Sequence, residues 1–329
     1  MSNEHVNSTV RSILDTICPP VERDMRPIAA AIAPLATMGK PVEPVAGPVG
    51  YFREVPANDY NSHPGITKSA ICAARVETDV FSMSAMRASM TANREANEST
   101  AAQRWGTLAH AALLEPTELA ARCAMWDGAA KRGAEYLAFK ANAESRGLEI
   151  VTRGELDKLS AMCAAIRADR DARWIVGQCV RTEYGIEWSD PDYGLAKGRL
   201  DGCGVDMILE YKTCRNIAKR AFFNSAEGGG YSFGAGWYWH GYRRPQNVYV
   251  IAQQNVPPYS VVSYIVPVGI LESAYEEARK IAVRYRIAER AGEFPGPYSG
   301  IQTFERPAWV AGNGEIDVST GTEEGGLTA

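Results

Sequence analysis

The chain has no uninterrupted apolar stretch approaching the roughly 18 residues that cross a bilayer, and no basic-then-apolar leader. It therefore reads as a soluble cytoplasmic protein with no membrane partner. Seven cysteines (Cys18, Cys72, Cys123, Cys163, Cys179, Cys203 and Cys214) are an odd number, scattered, with no C-x-x-C. That spacing argues against a disulfide framework and against an iron–sulfur cluster. Excess charge is also lacking. A formal net charge of -4 excludes a uniformly basic nucleic-acid coat, although a local basic patch is compatible with it. No internal repeat is visible.

What is present is enough apolar material, 46% of 329 residues, for one large domain with appendages. Residues 1–50 differ from the rest: Val6 to Ile17 reads as a short helix, Ile28 to Ala36 as an apolar stretch, and Pro41, Pro44 and Pro48 as a linker. They form an extension, partly ordered, before a main domain over 51–310. Ser62 to about Ala124 is helical in pattern, with Met83, Met86 and Met90 as packing residues. Gly154 to Trp174 reads as one helix. The period then changes to strands: Thr182 to Trp188, Ala196 to Asp201 and Val205 to Lys212. Ile217 to Phe223 and Phe233 to Tyr242 read as helices, Asn247 to Gln253 and Ser260 to Val266 as strands, and Leu271 to Ala291 as a long amphipathic helix. A flexible tail, 311–329, closes the chain. Helices first, then a mixed sheet with crossing helices, give an α/β core with an N-terminal helical addition.

The most informative stretch is KGRLDGCGVDMILEYKT, Lys197 to Thr213. Asp201 closes a strand, Gly202 and Gly204 supply a turn, and the return strand carries Glu210 and Lys212 on one face by alternation. Two carboxylates suit a hard divalent cation. Such an ion acidifies bound water and offsets charge on a phosphate, and a neighbouring lysine orients the water or stabilises developing charge. This D…ExK pattern is that of a metal-dependent nuclease. Short matches also occur in solvated hairpins, so the surroundings must decide.

Six segments in order supply them: DYNSHPGITKSAI (Asp59 to Ile71), RWGTLAHAALLEP (Arg104 to Pro116), TEYGIEWSDPDYGLAKGRLD (Thr182 to Asp201), GYSFGAGWYWHG (Gly230 to Gly241), VYVIAQQNVPPYSVVSYIV (Val248 to Val266) and GEFPGPYSGIQTFERPAWV (Gly292 to Val310). Together they resemble the RecE-type, or exonuclease VIII-like, phage and prophage exonucleases of the PD-(D/E)XK superfamily, over roughly Tyr51 to Val310. The resemblance implies a restriction-endonuclease-like core of a central mixed sheet flanked by helices. It implies a Mg2+-dependent exonuclease, with Mn2+ as an alternative ion, acting 5′ to 3′ on double-stranded DNA ends in a bacterial host cell. The product is a 3′ single strand for an annealing partner in phage-type recombination, and the enzyme is a homo-oligomeric ring. An endonuclease of phage defence or counter-defence, and a binding module with a weakened site, are the other readings of the same fold.

From its neighbours alone, His110 is a core histidine. The resemblance instead places a metal-binding histidine at this G-T-x-x-H position, as neutral imidazole. Glu183 matches an acidic position of the family and reads either as a further metal ligand or as an exposed strand carboxylate. Asp206 shares strand parity with Glu210 but lies near the turn, outside the ligand set. Gly234 departs from the family, which has glutamine in Y-x-x-Q-x-x-x-Y; Tyr231 and Tyr238 remain, and Gln253 or Gln254 are the candidates to compensate. Lys197, Arg199, Arg215, Lys219, Arg220, Arg243 and Arg244 are the expected phosphate contacts. Phe222, Phe223, Trp237 and Trp239 read as core. Alanine at Asp201 or Lys212 is expected to abolish cleavage with little effect on folding.

Overall fold

The computed structural model describes residues 53–55, 60–77, 79–91 and 100–303. The expected helix at Val6 to Ile17, the stretch Ile28 to Ala36, the proline linker and the tail lie outside the described residues. The chain opens with β1 (Arg53–Val55), α1 (Lys68–Ala74), a hairpin of β2 (Arg75–Glu77) and β3 (Val80–Phe81), and α2 (Met83–Thr91). Next come α3 (Ala101–Leu114), α4 (Pro116–Arg122), β4 (Cys123–Trp126), α5 (Ala134–Ser145), β5 (Glu149–Thr152), α6 (Arg153–Ala168) and α7 (Arg170–Gly177). The strands β6 (Arg181–Asp190), β7 (Gly194–Cys203) and β8 (Met207–Cys214) follow, then α8 (Lys219–Gly228), α9 (Tyr231–Gly241), β9 (Asn247–Gln254), β10 (Val261–Ile265) and α10 (Val268–Ala291).

Six strands form one sheet in the order β1-β6-β7-β8-β9-β10. Every neighbouring pair is antiparallel except β8 and β9, which run parallel. A parallel pair needs a crossover between its strands; α8 and α9 provide it. On one face, α1, α9 and α10 pack on Ile186, Trp188, Leu200 and Ile208, with Trp237 fully buried. On the other, α3, α6 and α7 pack on Leu209, Tyr211 and Ile251. The fold is thus α/β, a central mixed sheet flanked by helices.

Local chemistry starts and stops these elements. Thr100 with Gln103, and Thr152 with Glu155, form reciprocal capping boxes at α3 and α6. Gly292, at φ 73, ends α10. The single helix expected over Gly154 to Trp174 is two. Asp169 is extended and its carboxylate accepts the N–H of Ala172 at 2.8 Å, so it caps α7 instead of continuing α6. The expected strand end at Asp201 also moves. β7 runs on through Gly202 and Cys203, and the turn is Gly204 to Asp206. Val205, expected in the return strand, is 71% exposed in that turn. The crossover helices start at Lys219 and Tyr231, each two residues from the expected position. No helix among the described residues is long and apolar enough to cross a membrane. Cys72, Cys123, Cys163, Cys179, Cys203 and Cys214 are free thiols.

Candidate metal centre

The site forms where two strands part. β6 and β7 pair along almost their full length, but β7 and β8 pair only at Gly202↔Leu209 and Cys203↔Ile208. One step further, Asp201 lies opposite Glu210 with no ladder between them. On its other side Asp201 lies opposite Glu183, between the pairs Thr182↔Gly202 and Tyr184↔Leu200. Three carboxylates therefore stand in a row across three strands.

Side-chain alternation also reverses here. A Cβ at Gly198 would meet the Tyr238 ring on the α9 face, whereas a Cβ at Gly202 would meet Cys179 and Leu209 on the α3 face. Residues four apart in a regular strand share a face, so the reversal falls between them. Opposite it, Glu183 has φ 46, a left-handed conformation that disfavours side chains. The reversal lets groups from both faces converge. From the α3 face comes His110, whose ring lies 5.0 Å from that of Tyr211. From the α9 face come Glu210 and Lys212.

His110 Nδ1 lies 3.7 Å from Glu183 Oε1 and 3.6 Å from Asp201 Oδ1. The three side chains offer ligand atoms all within 4.8 Å of one another and could hold a metal ion. Lys212 Nζ is 3.0 Å from Asp201 Oδ2 and 2.8 Å from Glu210 Oε2. Glu210 Oε1 is buried with no hydrogen-bond partner. Arg199 Nε lies 3.4 Å from Glu183 Oε2 and its guanidinium 5.1 Å from the centre of the Tyr60 ring.

The electrostatics follow from burial against neighbouring charge. Burial pushes the Glu210 carboxyl above the usual carboxylate range; the Asp201 charge adds to this, and Lys212 offsets only part. Burial opposes the Asp201 carboxylate too, yet Lys212 and His110 outweigh it and hold its pKa below the usual range. For His110, burial favours the neutral ring, but Asp201 and Glu183 prevail and its pKa is raised. For Lys212, burial is likewise overcome by Asp201 and Glu210, so its pKa is raised and it remains an ammonium. Glu210 thus resists ionisation beside an ionised Asp201, and one of its oxygens lacks a partner. Mixed nitrogen and oxygen donors short of positive charge fit a divalent cation.

The other expected residues divide by position. Lys197 is corrected from phosphate contact to buried support. It is 3% exposed, and its ammonium donates to the carbonyls of Tyr60, Asn61 and His63 beneath the loop before α1. Arg215, Lys219 and Arg220 are exposed just beyond β8, at the Lys212 end of the sheet. Arg243 and Arg244 follow the far end of α9, whose length from Tyr231 is about 15 Å by its rise per residue. Tyr231 faces Lys212, and Tyr238 covers Gly198. Asp206 accepts from the Gln246 N–H and guides the chain into β9. Both candidate glutamines are engaged elsewhere. Gln253 is fully buried, bonding the Tyr211 hydroxyl and the Met162 carbonyl, and Gln254 donates to the Arg215 carbonyl. Phe222, Trp237 and Trp239 are buried in the core; Phe223 is partly exposed. Two neighbours escaped the sequence reading, Tyr60 beneath Arg199 and Lys68 beside Gly234. Both lie in the quoted segment Asp59 to Ile71, but no local pattern marks them.

No protein-family model matches the chain, and no curated protein matches it. Among solved structures it is similar to a candidate exonuclease from Eubacterium rectale, at 10% sequence identity and a TM-score of 0.46, over 76% of this chain and 92% of that one.

Proposed function

We propose that this chain is a metal-dependent nuclease of the PD-(D/E)XK type, and within that class a 5′-to-3′ exodeoxyribonuclease on double-stranded DNA ends. The observation that carries the reading is the convergence of His110, Glu183, Asp201, Glu210 and Lys212 where β7 and β8 separate. His110, Glu183 and Asp201 would hold Mg2+ or Mn2+, with Glu210 completing the set through its unpartnered oxygen. A cation bound there supplies acidified water and charge compensation on a phosphodiester. Lys212, whose ammonium sits between the Asp201 and Glu210 carboxylates, would orient the water or the phosphate. The ordered sequence resemblance supports DNA ends as substrate, 3′ single strands as product, an annealing protein as partner and a ring-shaped homo-oligomer as the working form. The second reading, a DNA-binding module with a weakened site, is favoured by Gly234.

Matched linear and covalently closed circular duplexes, incubated with Mg2+ and with an Asp201→Ala control, separate these readings. Loss of the linear form alone, absent in the control, is the expected result. Cutting of the circle would identify an endonuclease. Binding of DNA without cleavage of either form would favour the module.

A further inference from the structure

Gly234 leaves room on α9 that a residue from α1 fills. A Cβ at position 234 would stand 3.1 Å from Lys68 Cε and 3.5 Å from its Cδ and Cγ. The lysine stem therefore lies where a larger side chain would project. Its ammonium is 5.5 Å from the centre of the Tyr231 ring, and Lys212 Nζ is 5.6 Å from the same ring. The two cations thus converge on one aromatic surface beside Glu210, whose carboxyl feels the Lys68 charge.

Their engagements differ. Lys212 is ion-paired to both Asp201 and Glu210. Among the described residues Lys68 has no carboxylate partner, and its hydrogen bond is a long one, 3.4 Å to the Gly229 carbonyl. An ammonium has three donors, so most of this group's capacity is unused. Helix stability does not account for it either, since a cation in the first turn opposes the helix dipole.

We propose that Lys68 is a second phosphate-contacting cation of the site, seated by Gly234 and acting beside Lys212 on the same phosphodiester. The inference rests on the nuclease reading and assigns it a group that the D…ExK pattern does not contain.

The test uses the full chain and three variants. Lys68→Met keeps the stem and removes the charge. Gly234→Leu displaces the stem and keeps the charge. Lys140→Met removes one positive charge from α5, outside the cluster. Single-turnover cleavage of a linear duplex is measured with Mg2+, and binding of the same duplex is measured with Ca2+ over a salt series. Lys68→Met and Gly234→Leu should cleave at least about tenfold more slowly than the parent. Lys68→Met should also reduce the salt slope of binding by about one, and Lys140→Met should leave both quantities unchanged. Parental rate and slope in Lys68→Met would overturn the inference. If the parent binds but does not cleave, the nuclease reading fails and the slope alone judges Lys68, a reduction by about one supporting its phosphate contact and no change refuting it. If the parent neither binds nor cleaves, both fail.

Discussion

The Asp201 carboxylate accepts the backbone N–H of Tyr211 at 2.7 Å, taking the place of the ladder bond that β7 no longer supplies to β8. A candidate metal ligand is therefore also part of the sheet. This changes the expectation that alanine at Asp201 has little effect on folding. Removing the carboxylate strands a buried N–H and takes one of the two carboxylate partners from the Lys212 ammonium. Asp201→Ala should lose about 2 kcal/mol of stability as well as cleavage, whereas Asp201→Asn keeps an acceptor and should lose less. Urea unfolding of the metal-free proteins measures both; equal midpoints for Asp201→Ala and the parent would refute the structural role.

Glu183 carries its carboxylate on a left-handed backbone, φ 46. Glycine adopts that conformation without the Cβ conflict that alanine retains. Glu183→Gly should be more stable than Glu183→Ala by about 1 kcal/mol, the reverse of the usual order in a strand, while both bind Mn2+ more weakly than the parent. Chemical denaturation and titration calorimetry read the two effects, and alanine proving the more stable substitution would count against the strained backbone.

Lys197 holds loop carbonyls from inside the fold. Lys197→Met should cost about 2–4 kcal/mol, because those acceptors lose their donor in a buried setting. The salt slope of DNA binding should not change. A slope reduced by one with stability intact would return Lys197 to the phosphate contacts.

His240 stacks on Tyr275 with ring centres 3.8 Å apart and lies beside Arg244. Burial lowers its pKa to about 4, and Arg244 and Arg279 add to the shift. The folded protein thus keeps the ring neutral where the unfolded chain, near 6.5, takes up a proton. Between pH 6.5 and about 4 the unfolded state binds more protons, so this contribution is full above 6.5 and is lost as pH falls. Allowing for the ring's partial exposure, the loss is about 1–2 kcal/mol. His240→Phe should flatten the stability profile over that window; an identical acid limb in both proteins would contradict it.

The sequence made part of this centre legible and left part hidden, for physical reasons. Glu210 and Lys212 share a strand, where a period of two fixes their common face, so their pairing could be read directly. The contact between Glu183 and Asp201 depends on the register of two strands and on a reversal of alternation that no spacing encodes. Lys197 and Lys68 show the limit for charged residues, since a lysine letter does not reveal whether its ammonium ends under a loop or over a ring. The break at Asp169 was open to reading, because a capping aspartate preceding Arg170 and Asp171 is a local signal, but the apolar face continuing across it conceals the stop. The α/β layering and the mixed sheet with crossing helices followed from the order of periodic segments.

The candidate ligands come from separate parts of the chain: His110 from the helical layer, Glu183, Asp201 and Glu210 from three successive strands. An ion gripping His110 and Asp201 would be a reversible cross-link closing a loop of roughly ninety residues. Its release would free the helical layer from the sheet at that point, so chelation should be felt as mechanical slack between two layers as well as lost chemistry.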